Sequence, residues 1–251
     1  MSVDYAVEGR VARLTLNSPH NHNALSTALV EQLHQGFTDA AAADVRAVVL
    51  GHTGTTFCAG ADLSEAAGRD PGDVAVDRAR EMTRLLRAIL ELPVPVIAAV
   101  DGHVRAGGMG LLGACDIAVA GPSSTFALTE ARIGVAPSII SLTLLPRLSA
   151  RAAGRYFLTG EKFGPAEAAD IGLITMAADD VGTTVAGLTA NIAKASPQGL
   201  AVSKALTTAA VLADFDAHAE RLAEQSARLF VSDEAREGML AFLQKRQPSW
   251  A

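Results

Sequence analysis

The chain has 251 residues, of which 49% are hydrophobic, 19% charged and 4% aromatic. That is ample apolar material for one large core and too little charge for a long disordered segment. With 21 Lys and Arg against 27 Asp and Glu the formal net charge is −6, which argues against a general nucleic-acid binder.

The opening MSVDYAVEGR lacks an apolar leader region, and no run of 18 apolar residues occurs, so neither a secretory signal nor a membrane span is expected. Tyr5–Val7 and Val11–Leu16 flank Glu8-Gly9-Arg10 as a hairpin, with Ala12, Leu14 and Leu16 on one face at period two. The stretch NSPHNHN (17–23) is turn-rich. Ser26 then stands as an N-cap before Leu29, Leu33 and Phe37 at i, i+4 and i+8. Ala47–Leu50 reads as a buried strand and Thr53–Asp62 as a glycine-containing loop. Over Val74–Leu92 the stripe Val76, Ala79, Met82, Leu85, Leu86, Ile89 and Leu90 predicts an amphipathic helix, ended by Pro93 and Pro95. Val96–Val100 is another buried strand, DGHVRAGG (101–108) a second glycine loop, and a helix is expected from Met109. Ile117–Ala120 and Thr125–Ala127 read as strands, so the alternation predicts an α/β layered core. From Ser138 onward the pattern is mainly helical, with Pro165 near one helix start, Gly172 past its end, and Ser196-Pro197 and Ser232 opening others. A soft boundary near Ser196 divides an expected core, residues 1–195, from a helical C-terminal region, 196–251.

Cys58 and Cys115 form no CxxC pair, which rules out a zinc-ribbon or thioredoxin-type motif; a reduced, cytoplasmic protein is expected. His20 and His22 make only an HxH in a turn-rich loop, HExxH and GxSxG are absent, and no metal site is expected. Gly108, Gly110 and Gly113 spell GxGxxG with Glu130 20 positions beyond Gly110, but Asp101–Gly107 separate the motif from its strand, a poor context for dinucleotide binding.

Three stretches carry candidate chemistry. In Phe57-Cys58-Ala59-Gly60-Ala61-Asp62-Leu63 the glycine permits a bend that leaves the Ala61 amide free to face a cavity; an ordinary strand-to-helix turn capped by Asp62 fits the same residues. Ala106-Gly107-Gly108 opens a helix, where free N–H groups attract anions, though glycine there also serves close packing. Two such loops can aim two amides at one carbonyl oxygen, the arrangement that stabilises a thioester enolate. Glu130 follows a short strand in an apolar stretch; burial would raise its pKa and suit acid/base work, whereas an exposed pair with Arg132 is the plainer reading.

Taken in order, NHNALS (21–26), TTFCAGADL (55–63), PVPVIAAVDGHVRAGGMGLLGACDIAVA (93–120), FALTEARIGVAPS (126–138), RAAGRYFLTGEKFGPAEAADIGLI (151–174) and EGMLAFLQKR (237–246) resemble the crotonase superfamily, the enoyl-CoA hydratase/isomerase family, over nearly the whole chain. The resemblance implies a crotonase-like α/β spiral of ββα turns, followed by a C-terminal helical region that builds trimers, which often pair into hexamers. It implies an acyl-CoA thioester substrate, no metal, no cofactor beyond the substrate's own coenzyme A, and no nucleic-acid or membrane partner. By motif position the thioester oxygen lies between the amides of Ala61 and Gly107, with substrate or coenzyme A contacts at Ala24, Ala59, Asp62, Leu63 and Ser64. Phe242 and Lys245 match a tail segment that reaches coenzyme A, often that of a neighbouring subunit.

The carboxylates depart from the pattern. Hydratases of this family resemble one another in holding a water between two glutamates; Glu130 matches the second position, but Gly110 occupies the first, AGGMG standing for the usual GGGxE. The expected function is enoyl-CoA hydratase with Glu130 as the single recognisable acid/base. Δ3,Δ2-Enoyl-CoA isomerisation by Glu130 proton transfer is the alternative, and a non-catalytic acyl-CoA binder is the alternative of another class. Glu65 is a candidate for the missing group, and Ser138 stands where dienoyl-CoA isomerases tend to carry Asp, which disfavours that activity.

Overall fold

The computed structural model of the chain describes residues 1–62 and 71–251. Strands β1 (Val3–Glu8) and β2 (Val11–Leu16) form the expected antiparallel hairpin, paired from Val3–Leu16 to Glu8–Val11. The alternation in β2 buries Ala12, Leu14 and Leu16 completely. Onto β2 the chain adds β3 (Ala47–His52), β5 (Val96–Val100), β7 (Ile117–Ala120) and β9 (Met176–Ala177), all parallel, in the order β1-β2-β3-β5-β7-β9. The central strands β3, β5 and β7 are largely apolar on both faces because both faces are covered. Val48, Leu50, Ala98 and Val100 enter the main core, while Val49, Ile97 and Val119 meet Val185 of α7 (Val181–Ile192) on the other side.

The two segments read from the sequence as loops each contain a short strand. β4 (Thr56–Cys58) and β6 (His103–Arg105) pair with β8 (Thr125–Ala127) in a second, parallel sheet ordered β4-β6-β8. Three-residue strands are too short to show a period, and they form because parallel neighbours supply the ladder. Each turn thus gives one strand to each sheet, β3–β4, β5–β6 and β7–β8, which is the spiral of ββα turns implied by the resemblance.

Helix α1 (Thr27–Ala42) starts where Ser26 Oγ accepts from the Leu29 amide at 3.2 Å. Helix α2 (Pro71–Glu91) buries Ala79, Leu85, Leu86, Ile89 and Leu90 as the stripe predicts. Helix α3 (Gly107–Ala114) begins two residues before the expected Met109, and it is buried from Gly108 to Ala114. That burial outweighs the ~1 kcal/mol helix penalty of each glycine. The GxGxxG glycines therefore lie inside a helix and serve packing: Gly108 meets Cys58, Gly110 meets Ile140 and Gly113 meets Thr143.

The C-terminal part comprises α4 (Ser141–Leu144), α5 (Ala150–Thr159), α6 (Pro165–Asp170), α7, α8 (Pro197–Phe230) and α9 (Asp233–Leu243). Ser149, Asp180, Ser196 and Ser232 each cap a helix through the side chain. Helix α8 packs on α2, where the buried Lys204 Nζ sits 2.8 Å from Asp116 Oδ2 and donates to Ile89 O (2.8 Å) and Val94 O (3.1 Å). Among the described residues no helix is long and apolar enough to cross a membrane.

Candidate active site

The first loop is built on Asn23, a residue of the 17–23 turn. Fully buried, it accepts from the Ser18 amide (2.7 Å) and donates to Thr53 O (3.0 Å) and Thr56 O (2.7 Å), knitting the 17–23 turn to the entry of β4. The next residues continue the seam: Ala59 N donates to His22 O at 3.1 Å, Leu25 N to Gly60 O at 2.7 Å and Asp62 N to Leu25 O at 3.3 Å. Leu25 and Ala61 are thus partners in a parallel bridge. In such a bridge the N–H and C=O of the bracketed residue, Ala61, point away from Leu25. Asp62 Oδ2 accepts from Asn21 Nδ2 at 3.0 Å, and its carbonyl accepts from Arg78 at 3.0 Å.

The second loop touches the first at glycine. Gly60 has φ +99°, and a Cβ there would lie 2.8 Å from Ala106 Cβ and 3.3 Å from the Gly107 amide nitrogen. Only glycine fits both the conformation and the approach. Ala106 itself adopts φ 46° and ψ −120°, a strained backbone for a residue with a Cβ, and Gly107 then opens α3. A first-turn N–H has no intrahelical acceptor and carries the positive end of the helix dipole. Among the described residues neither the Ala61 nor the Gly107 amide donates to a protein acceptor. Two such amides on touching loops can share one oxygen on which negative charge develops.

Glu130 opens the 3-10 turn Glu130–Ile133, just after β8. Its side chain is only 8% exposed and Oε2 has no hydrogen-bond partner. Burial pushes the carboxyl up to about 7 from the ordinary carboxylate value, opposed by its own backbone N–H. The alternative pairing with Arg132 does not form: Arg132 Nε donates to Thr159 O at 2.9 Å. A carboxyl with a pKa near neutrality holds appreciable amounts of both protonation states and can take and return a proton.

Gly110 lies one turn along α3 from Gly107, on the same face. A Cβ at 107 would lie 2.9 Å from Leu25 Cδ1 and 3.6 Å from Met82 Cε; one at 110 would lie 3.1 Å from Met82 Cε and would collide with Ile140. Leu25, Met82 and Ile140 thus make an apolar wall along this face, where the first glutamate of the resembled pattern would stand.

The remaining expected contacts divide. Ala24 is buried, Ala59 and Asp62 are partly buried, and Ala61 is exposed, all on the seam just described. Leu63, Ser64 and Glu65 lie outside the described residues. Phe242, 68% exposed, and Lys245 stand on the surface near the end of α9. Cys58 and Cys115 are free and buried, their thiols pushed up to about 12 by burial. Among the described residues no group of three or more His, Cys, Asp and Glu side chains offers a metal-ligand set.

The chain is similar to known proteins over its whole length. A family model for enoyl-CoA hydratase/isomerase matches residues 6–251. The crystal structure of an enoyl-CoA hydratase from Mycobacterium avium is 69% identical, with a TM-score of 0.95 over 100% of this chain and 99% of that one. An enoyl-CoA hydratase structure from Mycobacterium smegmatis is 31% identical, with a TM-score of 0.81 over 100% and 99%. Enoyl-CoA hydratase EchA19 of Mycobacterium tuberculosis is 32% identical over 96% of this chain and 93% of that protein.

Proposed function

The chain belongs to the enoyl-CoA hydratase/isomerase family, and we propose that it is an enoyl-CoA hydratase in which Glu130 is the carboxyl acid/base. The observation that carries this reading is the buried Glu130 carboxyl, with its unpartnered Oε2 and its pKa lifted to about 7. The Ala61 and Gly107 amides donate to the thioester oxygen. One such donor is worth on the order of 10²–10³ in rate, because its hydrogen bond strengthens as the oxygen becomes an enolate.

The step balances with one carboxyl group. Ionised Glu130 takes a proton from water as the water oxygen bonds to C3. The C2=C3 electron pair moves into the enolate, and Glu130 returns the proton to C2. One water has been added and the carboxylate is restored. By motif position Ala24 is assigned to the nucleotide end of coenzyme A, Asp62, Leu63 and Ser64 to pantetheine, and Ala59 to a further substrate contact. Phe242 and Lys245 contact coenzyme A from the tail, the lysine as a point charge for phosphate. A homotrimer, or two trimers stacked as a hexamer, is the proposed assembly; exposed Leu145, Leu158, Val202, Leu206 and Leu243 of the C-terminal half are apolar surface that association would bury.

Crotonyl-CoA tests the reading: hydration removes the ultraviolet absorbance of the conjugated thioester. Glu130→Gln should lower the rate by roughly 10²–10⁴-fold, and an unchanged rate would remove Glu130 from the mechanism. One observation favours a second reading. The apolar filling at Gly110 leaves no second carboxylate at that position, and Δ3,Δ2-isomerisation needs only one: Glu130 would move a proton from C2 to C4 of a 3-enoyl-CoA, and the same absorbance would rise.

A further inference from the structure

Among the described residues the buried side-chain polar atoms without a hydrogen-bond partner are two: Glu130 Oε2 and Ser138 Oγ. Ser138 is 7% exposed, and leaving a hydroxyl buried and unbonded is costly enough that it calls for an explanation. Its backbone is already used: Ser138 N donates to Ala136 O at 2.7 Å, and Ser138 O accepts from Ser141 Oγ at 2.6 Å. Only the hydroxyl is left over.

Both orphan atoms sit on one continuous segment. Val135 N donates to Glu130 O at 3.1 Å, folding the chain back after the 3-10 turn, and Ser141 N bonds Pro137 O at 3.0 Å, closing the turn that carries Ser138. Two residues after Ser138, Ile140 packs on Gly110, and Thr143 Oγ1 donates to Gly110 O at 3.1 Å. The segment is therefore docked on the face of α3 that begins with Gly107, at the position where a second acid is missing.

We propose that Ser138 is the second group that holds the attacking water, its hydroxyl doing the positioning that a carboxylate at residue 110 would otherwise do. This inference rests on the hydratase reading. A hydroxyl both donates and accepts, so it can fix the water while the water's other hydrogen faces Glu130. It takes no proton in the step: Glu130 alone removes the proton from water and returns it to C2. Being neutral, it also adds no second charge to the site.

Two reactions separate this role from a structural one. Hydration of crotonyl-CoA needs a held water. Exchange of the C2 proton of butyryl-CoA in deuterium oxide needs Glu130 and the two amides but no water at C3. Ser138→Ala should lower kcat for hydration by roughly 10–100-fold, the range of a lost hydrogen bond to a reacting group, with KM within about 3-fold and exchange within about 2-fold of the parent. Ser138→Ala hydrating as fast as the parent overturns the inference alone. A parallel fall of hydration and exchange also overturns it, since the role would then be structural. A parent enzyme that exchanges the C2 proton or isomerises but never hydrates removes the hydratase reading, and this inference with it.

Discussion

Ile140 occupies the space that a side chain on residue 110 would need: a Cβ there would collide with Ile140 Cγ2 and lie 3.0 Å from Ile140 Cβ. Gly110→Glu therefore does not install a second carboxylate. Overpacking of this kind costs ~1–3 kcal/mol, so the variant should melt several degrees below the parent. Ile140→Ala makes room, and the double variant should be more stable than the sum of the two single changes predicts. Denaturant unfolding of all four proteins measures this; strict additivity would mean that the two residues do not compete for one space.

The raised pKa of Glu130 fixes a pH profile. The base must be ionised, so kcat/KM should rise with pH through an ascending limb near 7, the value set by burial. A midpoint near the ordinary carboxylate value of 4.5 would place the carboxyl in water.

The same shift links to stability. As pH rises, the unfolded carboxyl ionises first, near 4.5, and the folded one only near 7, so Glu130's contribution is whole below 4.5 and is lost as pH climbs to about 7. Glu130→Gln should be the more stable protein at pH 8, by up to ~3 kcal/mol, and should show no such advantage at pH 4. Urea titrations at the two pH values decide it.

Helix α9 lies backbone to backbone against the turn that holds Glu130. A Cβ on Gly238 would lie 2.5 Å from Ile133 C, and one on Gly134 would lie 2.5 Å from Glu234 C. Gly238→Ala should cost ~1–3 kcal/mol and lower kcat by displacing Glu130. Gly187→Ala in the exposed face of α7, where a Cβ meets nothing within 4 Å, should instead be neutral or stabilising. Equal behaviour of the two alanines in melting and turnover would refute the packing argument.

Lys204→Met should destabilise the chain by roughly 3–5 kcal/mol, because it leaves Asp116 without its cation and two carbonyls without their donor. Adding Asp116→Asn should recover part of the loss. Thermal unfolding reads both changes, and no recovery would assign the cost to packing of the lysine stem instead.

Local chemistry made much of this legible in advance. Ser26, Ser196 and Ser232 mark helix starts because a side-chain cap is written in one residue, and β2 shows its buried face because alternation is complete over six residues. β4 and β6 stayed hidden because each lies in a glycine-containing stretch that reads as a loop, and their pairing partners come from other turns of the spiral. Glu130 was visible as a carboxylate in an apolar stretch, but its separation from Arg132 depends on Thr159, in another helix. The contact of Gly60 with Ala106, and that of Ile140 with Gly110, join residues far apart in the chain; nothing local encodes them. Asn23 had a readable signal, an asparagine repeated through a turn, yet its bonds reach across to Thr53 and Thr56.

A crystal structure with a slow-turnover acyl-CoA bound tests the central claim most directly. The account predicts the thioester oxygen at ~2.7–3.1 Å from both amide nitrogens, Ala61 and Gly107, with the Glu130 carboxyl against C2 and C3. An oxygen bound elsewhere, or a Glu130 carboxyl turned from the acyl chain, would contradict it.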